Sequence, residues 1–366
     1  RLPRSCHQHS NIFFMPRSPT ANQLPYLNAL IIAAYGSAKI VTAQIVAARG
    51  NYEQAFIKYA PFSELRVDVD KEWKKLETND VRLLVRGAAA FPKELAKASD
   101  APYALYYKGN LAALNARRCA VVGTRRMTDY GRRATRDIAG ALSRAGICIV
   151  SGMAVGIDAA AHEAALATPG PTIAVLGSGL DEKTIYPKQN LQLARRILEN
   201  GGLLLSEYSC GMPAQQYTFR DRNRIVAALA EAVLVIEADI KSGSLITAKL
   251  ALEMGIDVGA VPGSIYATVA RGTHLLIRNG AAPITAPDDA LELFGLTPAL
   301  AVQHDLAQLD SSATAVLGAL ESASLSLDAI ARAVGQSIPA VAATLALMEA
   351  DRIIECRGGT YSRRGR

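Results

Sequence analysis

The residues best placed to do chemistry fall in six short stretches rich in glycine, hydroxyl and basic side chains. The first is Gly123-Thr124-Arg125-Arg126, which closes an apolar run. A glycine there permits close backbone approach, and backbone N–H groups at a helix start combine with a guanidinium fork to cradle a phosphate. A tight turn with exposed arginines accounts for the same residues. The second, Ser151-Gly152 to Asp158, is built of small residues, with Asp158 expected to cap the helix that follows. The third runs from Gly177-Ser178-Gly179 to Tyr186-Pro187-Lys188. The fourth, Phe219-Arg220-Asp221-Arg222-Asn223-Arg224, sets basic residues beside one aromatic at a helix start. Backbone neutralisation plus a stacking ring is what single-stranded nucleic acid needs; a salt-bridged helix start is the alternative. The fifth, Lys241-Ser242-Gly243-Ser244 to Thr247, offers hydroxyls, amides and a lysine. The sixth pairs Gly263-Ser264 with Arg271 to His274.

Missing motifs narrow the chemistry. No Gly-Lys pair occurs, so there is no P-loop. The first turn lacks G-x-G-x-x-G, and the second strand ends at Ser151 where a dinucleotide enzyme carries an acid. There is no G-x-S-x-G elbow and no legible Ser/His/Asp set. An enzyme would have to use Asp158, Asp181 or Glu207, none with an evident catalytic partner. We therefore expect no catalytic residues, no metal site and no cofactor.

The elements that must position these loops follow from periodicity. Apolar runs at Cys119–Val122, Ile147–Val150, Thr172–Leu176, Leu203–Ser206, Ala232–Ile236, Val258–Val261 and Pro283–Thr285 alternate with helix-period stretches such as Arg132–Arg144 and Leu191–Glu199. Their spacing is roughly 25–30 residues, the length of a βα unit. The predicted class is α/β: a Rossmann-like parallel sheet with helices on both faces, binding ligands at the carboxyl ends of its strands. A small helical N-terminal region is expected over 20–100, the sheet domain over 101–296 and a linker over 297–311. Over 312–366 the order is helix, helix, helix, hairpin, with Gly358-Gly359 as the turn; that is a winged helix. Residues 1–19 read as a disordered or artefactual tail, with Met15 opening more ordinary sequence.

The 366 residues carry a net charge of +7, which favours a polyanionic partner or simply a basic surface. Five cysteines with no C-x-x-C fit free thiols in a reducing cytoplasm. The five histidines lack metal-ligand spacing. No segment has eighteen uninterrupted apolar residues, so no membrane span is expected.

The ordered set VGTRRMTDYG, SGMAVGIDAAAH, GSGLDEKTIYP, SEYSCG, FRDRNRIVAALA, VIEADIKSGSLITA, AVPGS and RGTHLLIRNGA resembles the family of DNA processing protein A, also called DprA or Smf. The resemblance covers Val122 to Phe294. It implies a protein that binds single-stranded DNA in a basic pocket and forms a homodimer. It also implies one that protects incoming DNA and loads the RecA recombinase in natural transformation, acting on strands coated by single-stranded DNA-binding protein. By the same resemblance Gly123 and Arg125 fall in a phosphate loop, Phe219, Arg222, Asn223 and Arg224 in an aromatic–RNR motif, and Lys241, Ser242, Gly243 and Ser244 in an SGSLITA loop. The chain departs from the family at Arg220, where proline is usual, at His274, where asparagine is usual, and at Thr128, where small residues are typical.

The expected DNA-binding set is Gly123, Thr124, Arg125, Ser151, Gly152, Lys188, Phe219, Arg222, Asn223, Arg224, Lys241, Ser242, Gly243, Ser244, Thr247, Gly263 and His274. Dimerisation is expected through the apolar helix from Leu245 to Met254. Two other functions compete. One is a Rossmann-like enzyme hydrolysing a nucleotide derivative, which needs a working acid in its pocket. The other is a duplex reader acting through the winged helix, which the absence of Lys and Arg from Ile338–Glu349 argues against. A protein-contact role for the winged helix is the expectation, with Arg363, Arg364 and Arg366 still able to touch a backbone.

Overall fold

The computed structural model describes residues 21–98, 100–296, 311–321, 324–350, 353–357 and 359–363. The expected tail, the linker over 297–310, Gly358 of the predicted turn, and Arg364 and Arg366 lie outside the described residues. The chain divides into two units, Arg1–Pro287 and Asp288–Arg366.

In the first unit four helices come first: α1 (Leu24–Ala33), α2 (Ala38–Ala47), α3 (Tyr52–Tyr59) and α4 (Val69–Thr78). Ser37, Asn51 and Asp68 cap the last three of these, each accepting a backbone N–H three residues on. Then follow β1 (Arg82–Val85), α5 (Lys93–Lys97), β2 (Ala104–Gly109), β3 (Arg118–Val122), α6 (Asp129–Arg144) and β4 (Cys148–Ser151). The order continues with α7 (Ile157–Leu166), β5 (Thr172–Leu176), α8 (Leu191–Glu199), β6 (Leu203–Ser206), α9 (Gln216–Ala228) and β7 (Ala232–Val235). It ends with α10 (Ser244–Glu253), β8 (Asp257–Ala260), α11 (Arg271–Arg278) and β9 (Ala282–Pro283).

These strands form one nine-stranded sheet in the order β1-β2-β6-β5-β4-β3-β7-β8-β9. The seven from β6 to β9 run parallel; β3, β4, β5, β6 and β7 are buried throughout, as their continuous apolar runs require. The parallel body is extended at one edge by an antiparallel pair, β2 being antiparallel to both β6 and β1. Strand β1 lies in the stretch read from sequence as helical N-terminal region. Its signal is weak because it is short and begins at an exposed arginine.

Each face of the sheet has its own core. On one face Val122, Val150, Val175, Leu205 and Val235 pack with Ile225 and Val226 of α9 and Ala248 and Ala251 of α10. On the other, Ala174, Leu176 and Leu204 pack with Leu27, Leu30, Val41, Ile45 and Leu76 of the first four helices. Asn28 of α1 ties the helices to the sheet: its Oδ1 accepts from Tyr106 Oη at 2.7 Å and Ser209 Oγ at 2.9 Å.

In the second unit, helices Ser311–Ala319, Leu327–Val334 and Ile338–Ala350 surround Val316, Ile330, Val341 and Leu345. Strand Thr360–Arg363 pairs antiparallel with Ile354–Arg357 and with the two-residue strand Leu325–Ser326. This is a winged helix. Ile338 and Leu347 on its last helix are 48% and 69% exposed. Among the described residues no single helix is long and apolar enough to cross a membrane.

Candidate nucleic-acid interface

The parallel strands place their following loops at one edge of the sheet. Strand β3 lies between β4 and β7, so the loop after it touches both neighbours. The Thr124 N–H donates to Glu237 O, beyond β7, at 2.7 Å. On the other side Gly156 has φ +86°, and a β-carbon there would stand 2.4 Å from Thr124 O. Only glycine lets the loop after β4 close against the loop after β3. Thr128 then caps α6, accepting the Gly131 N–H at 3.1 Å.

A pocket of about 180 Å³ opens between these loops, lined by Arg125, Gly152, Ala154, Val155, Tyr186, Pro187, Gln189, Phe219 and Arg222. Helix α9 supplies two of these residues. Thr218 fixes its start by accepting the Gln215 N–H at 3.0 Å, and Phe219 and Arg222 follow on one face. The Arg125 guanidinium carbon lies 5.2 Å from the Phe219 ring centroid, a cation–π contact. The Tyr186 ring lies 5.7 Å from the same ring, tilted by 47°.

Beneath them Arg222 is buried against Gly152. Its Nη1 lies 3.9 Å from Asp158 Oδ2, and its Nε has no hydrogen-bond partner among the described residues. Asp158 does not cap α7, which starts from Gly156. Its Oδ2 instead accepts the N–H groups of Gly152 at 3.1 Å and Ala154 at 3.4 Å, holding the loop before the helix. Burial pushes the Asp158 carboxyl up, and Arg222 and the loop amides draw it back down. Burial pushes the Arg222 guanidinium down, Asp158 opposes that, and Arg125 adds to it by charge repulsion. Two cations therefore converge on one pocket, and the Asp158 carboxylate beside Arg222 lies beneath it. Arg125 has no salt bridge among the described residues; Asp129, the partner its sequence position suggests, faces Arg132 at 3.9 Å. Met153, a buried core residue between Gly152 and Ala154 in the loop after β4, has φ +61°, a costly conformation for a non-glycine residue and typical of functional loops.

The expected site residues separate into groups. Arg125, Gly152, Phe219 and Arg222 line the pocket, with Gly123 and Thr124 in the loop that carries Arg125. Asn223 links α9 to the loop after β7, donating from Nδ2 to Gly243 O at 3.3 Å. In that loop the hydroxyls of Ser242 and Ser244 are 2.7 Å apart and Lys241 is exposed. Thr247 is buried within α10. Gly263 and His274 meet one another beyond β8, with His274 Nε2 3.1 Å from Gly263 O. Lys188 folds its ammonium onto Glu182 O at 2.8 Å. Ser151 is buried in the sheet, its hydroxyl donating to Val121 O at 2.6 Å.

Arg224 is not brought to the pocket. Its guanidinium pairs with Glu207 at 2.5 Å and Asp100 at 3.2 Å, because two helical residues beyond Arg222 turns a side chain to another face. Tyr186, absent from the expected set, does line the pocket; an aromatic next to a proline in a loop already singled out was the available signal. Of the three acids open to a hydrolase, none lines the pocket. Asp158 lies beneath it, Asp181 Oδ1 accepts the Gly211 N–H at 2.8 Å, and Glu207 pairs with Arg224. Burial raises Glu207 to about 7 against the pull of Arg224.

The sequence model described as DNA recombination-mediator protein A matches residues 82–295, and that described as DprA winged helix domain matches residues 301–359. Protein Smf of Escherichia coli is 44% identical over 223 residues, 60% of this chain and 59% of that protein. DNA processing protein DprA of Streptococcus pneumoniae is 45% identical over 204 residues, 56% of this chain and 71% of that protein. The chain thus spans little more than half the length of the first of these relatives. The crystal structure of the S. pneumoniae protein superposes with a TM-score of 0.61 at 34% identity, covering 75% of this chain and 98% of that one. A structure of DNA processing protein A from Helicobacter pylori, described for its single-stranded DNA binding mode, gives 0.53 at 33% identity, covering 59% and 96%.

Proposed function

The chain belongs to the DNA recombination-mediator protein A family, and from that premise we propose that it processes DNA by gripping single strands at the Arg125–Arg222 pocket, without catalysing a reaction. One observation carries the reading: two guanidiniums and two aromatic rings meet at a pocket whose lining holds no carboxylate. Asp158 offsets one of the two charges, a backbone phosphate would balance the other, and the Arg125 fork can meet it with two parallel hydrogen bonds. Phe219 and Tyr186 offer stacking faces for the adjoining bases. Nothing in this arrangement reads base edges, so the preference is for backbone and unpaired bases rather than sequence.

The test is competition binding of single-stranded against duplex DNA of equal length across a salt series. Single strands should win, with log K falling by about 0.7 per phosphate contacted for each unit of log salt. Equal or tighter duplex binding overturns the proposal. The hydrolase alternative lacks an acid in the pocket, and turnover of nucleoside monophosphates would restore it.

The finer proposals rest on the family. They are protection of incoming DNA in natural transformation, loading of the RecA recombinase, action on strands coated by single-stranded DNA-binding protein, and work in the cytoplasm as a homodimer. Helix α10 remains our choice for the dimer contact. Leu245, Leu250 and Met254 pack against the core, while Ile246 and Leu252 are 36% and 52% exposed. For the winged helix we propose a protein partner, since Ile338–Ala350 carries no basic residue to meet phosphates.

A further inference from the structure

A second cavity, of about 460 Å³, opens on the β7–β8 side of β3, whereas the Arg125 pocket lies on the β4 side. Strand order makes this the place where the chain reverses direction across the sheet: from β3 it winds outward through β4, then returns to β7 on the other flank. Sheets of this kind open a ligand crevice at that point. The walls are Ile236, Val261, Pro262, Ala267, Val269 and Ala270, with Thr128 and Tyr130 from the start of α6.

Most polar side chains on these walls are already engaged. Glu237 Oε2 accepts the Thr128 N–H at 2.9 Å, and its other oxygen accepts the Thr128 hydroxyl. Tyr130 Oη donates to Pro262 O at 2.7 Å, and Thr273 Oγ1 to Ala270 O at 3.0 Å. Apart from the Ser264 hydroxyl, which accepts the Tyr266 N–H at 3.3 Å, what remains for a ligand is mainly apolar surface, and the adjoining segment carries Ile265 and Tyr266 at 76% and 91% exposure. Such walls suit a flat heteroaromatic ring held by its faces. The source of that ring is close: Arg125 and Thr128 are three residues apart, at most about 10 Å of chain.

We propose that this cavity receives an unstacked base of the strand whose phosphate Arg125 holds, so that one strand straddles the Gly123–Thr128 loop. The proposal rests on the single-strand reading and adds a base subsite to it. Recognition there is by shape and stacking, and any base is accepted.

Ala267 lines the cavity and is only half-buried, so Ala267→Trp fills the space from its rim. Anisotropy titrations compare wild type and Ala267→Trp on a short oligothymidylate and on an abasic strand of the same length. The variant should bind the base-bearing strand about tenfold more weakly and the abasic strand as wild type does, at unchanged Tm. Ala267→Leu supplies the same comparison should the tryptophan variant fail to fold. Equal binding of the oligothymidylate by variant and wild type, or an equal loss on both strands, overturns the proposal. Millimolar free thymidine that lowers wild-type binding of the oligothymidylate to the variant's level, and leaves the abasic strand unaffected, would support the proposal, since the nucleoside then competes with a strand base for the cavity. Failure of wild type to bind either strand would instead remove the single-strand reading, and the base subsite with it.

Discussion

Gly152 and Arg222 contend for one volume: a β-carbon on residue 152 would stand 1.2 Å from Arg222 Nη1. The absent side chain is what lets a buried guanidinium lie against the loop after β4, within reach of Asp158. Gly152→Ala should therefore displace Arg222 from its seat, costing about 1–3 kcal/mol of stability by overpacking. At a temperature where the variant is fully folded, single-strand binding should still fall. Parent-like melting and parent-like affinity together would show that Arg222 relocates freely and that its seat is unimportant.

Arg125→Ala should leave Tm nearly unchanged, since the side chain is exposed and makes no salt bridge among the described residues. It should weaken binding alike for every sequence and flatten the salt slope by about 0.7. Arg125→Lys should recover only part of the affinity, because an ammonium cannot copy the two-pronged contact. Parent-like binding by Arg125→Ala at all salt concentrations would falsify the placement of the pocket.

Phe219→Ala should weaken single-strand binding by about 1–3 kcal/mol if the ring stacks on a base. The ring is half-buried and contacts Arg125 and Tyr186 within the pocket lining. A melting scan separates this from a core role: a large loss of Tm with normal binding by the folded fraction would make Phe219 a packing residue.

Glu207 should give a pH dependence opposite to that of an ordinary salt-bridged carboxylate. Burial holds its folded-state pKa up to about 7, while the unfolded chain has the ordinary value near 4.5. Between those values the native state binds the extra proton, so the Glu207 contribution to stability falls as pH rises from about 4.5 to 7. Chemical denaturation of wild type and Glu207→Gln across that window should show their stability difference shifting in favour of the variant as pH rises. A constant difference would mean that Arg224 keeps Glu207 ionised throughout.

Leu252→Asp on α10 should yield monomers in light scattering at micromolar concentration if α10 is the dimer contact, because the leucine is 52% exposed on that helix. A strictly monomeric parent under the same conditions would end the homodimer proposal.

The sequence by itself determined the parallel βα units, their loops and the winged helix. Long apolar runs separated by helix-period segments admit few other arrangements, and the runs over Thr172–Leu176 and Leu203–Ser206 coincide with β5 and β6 residue for residue. It also singled out Arg125, Gly152, Phe219 and Arg222, which the fold assembles in one pocket from three separate segments. Tertiary structure alone decided which way neighbouring side chains face. Arg222 and Arg224 share a motif, yet one turns to Asp158 and the other to Glu207 and Asp100. A helix advances about 100° per residue, so two positions nearly reverse a side chain, and the partner waiting there belongs to a distant segment. The same holds for the antiparallel pair β1 and β2, whose pairing depends on an edge that only the assembled sheet provides. The cavity beside Glu237 is likewise formed by residues over a hundred positions apart in the chain, such as Thr128 and Glu237, which no local pattern connects.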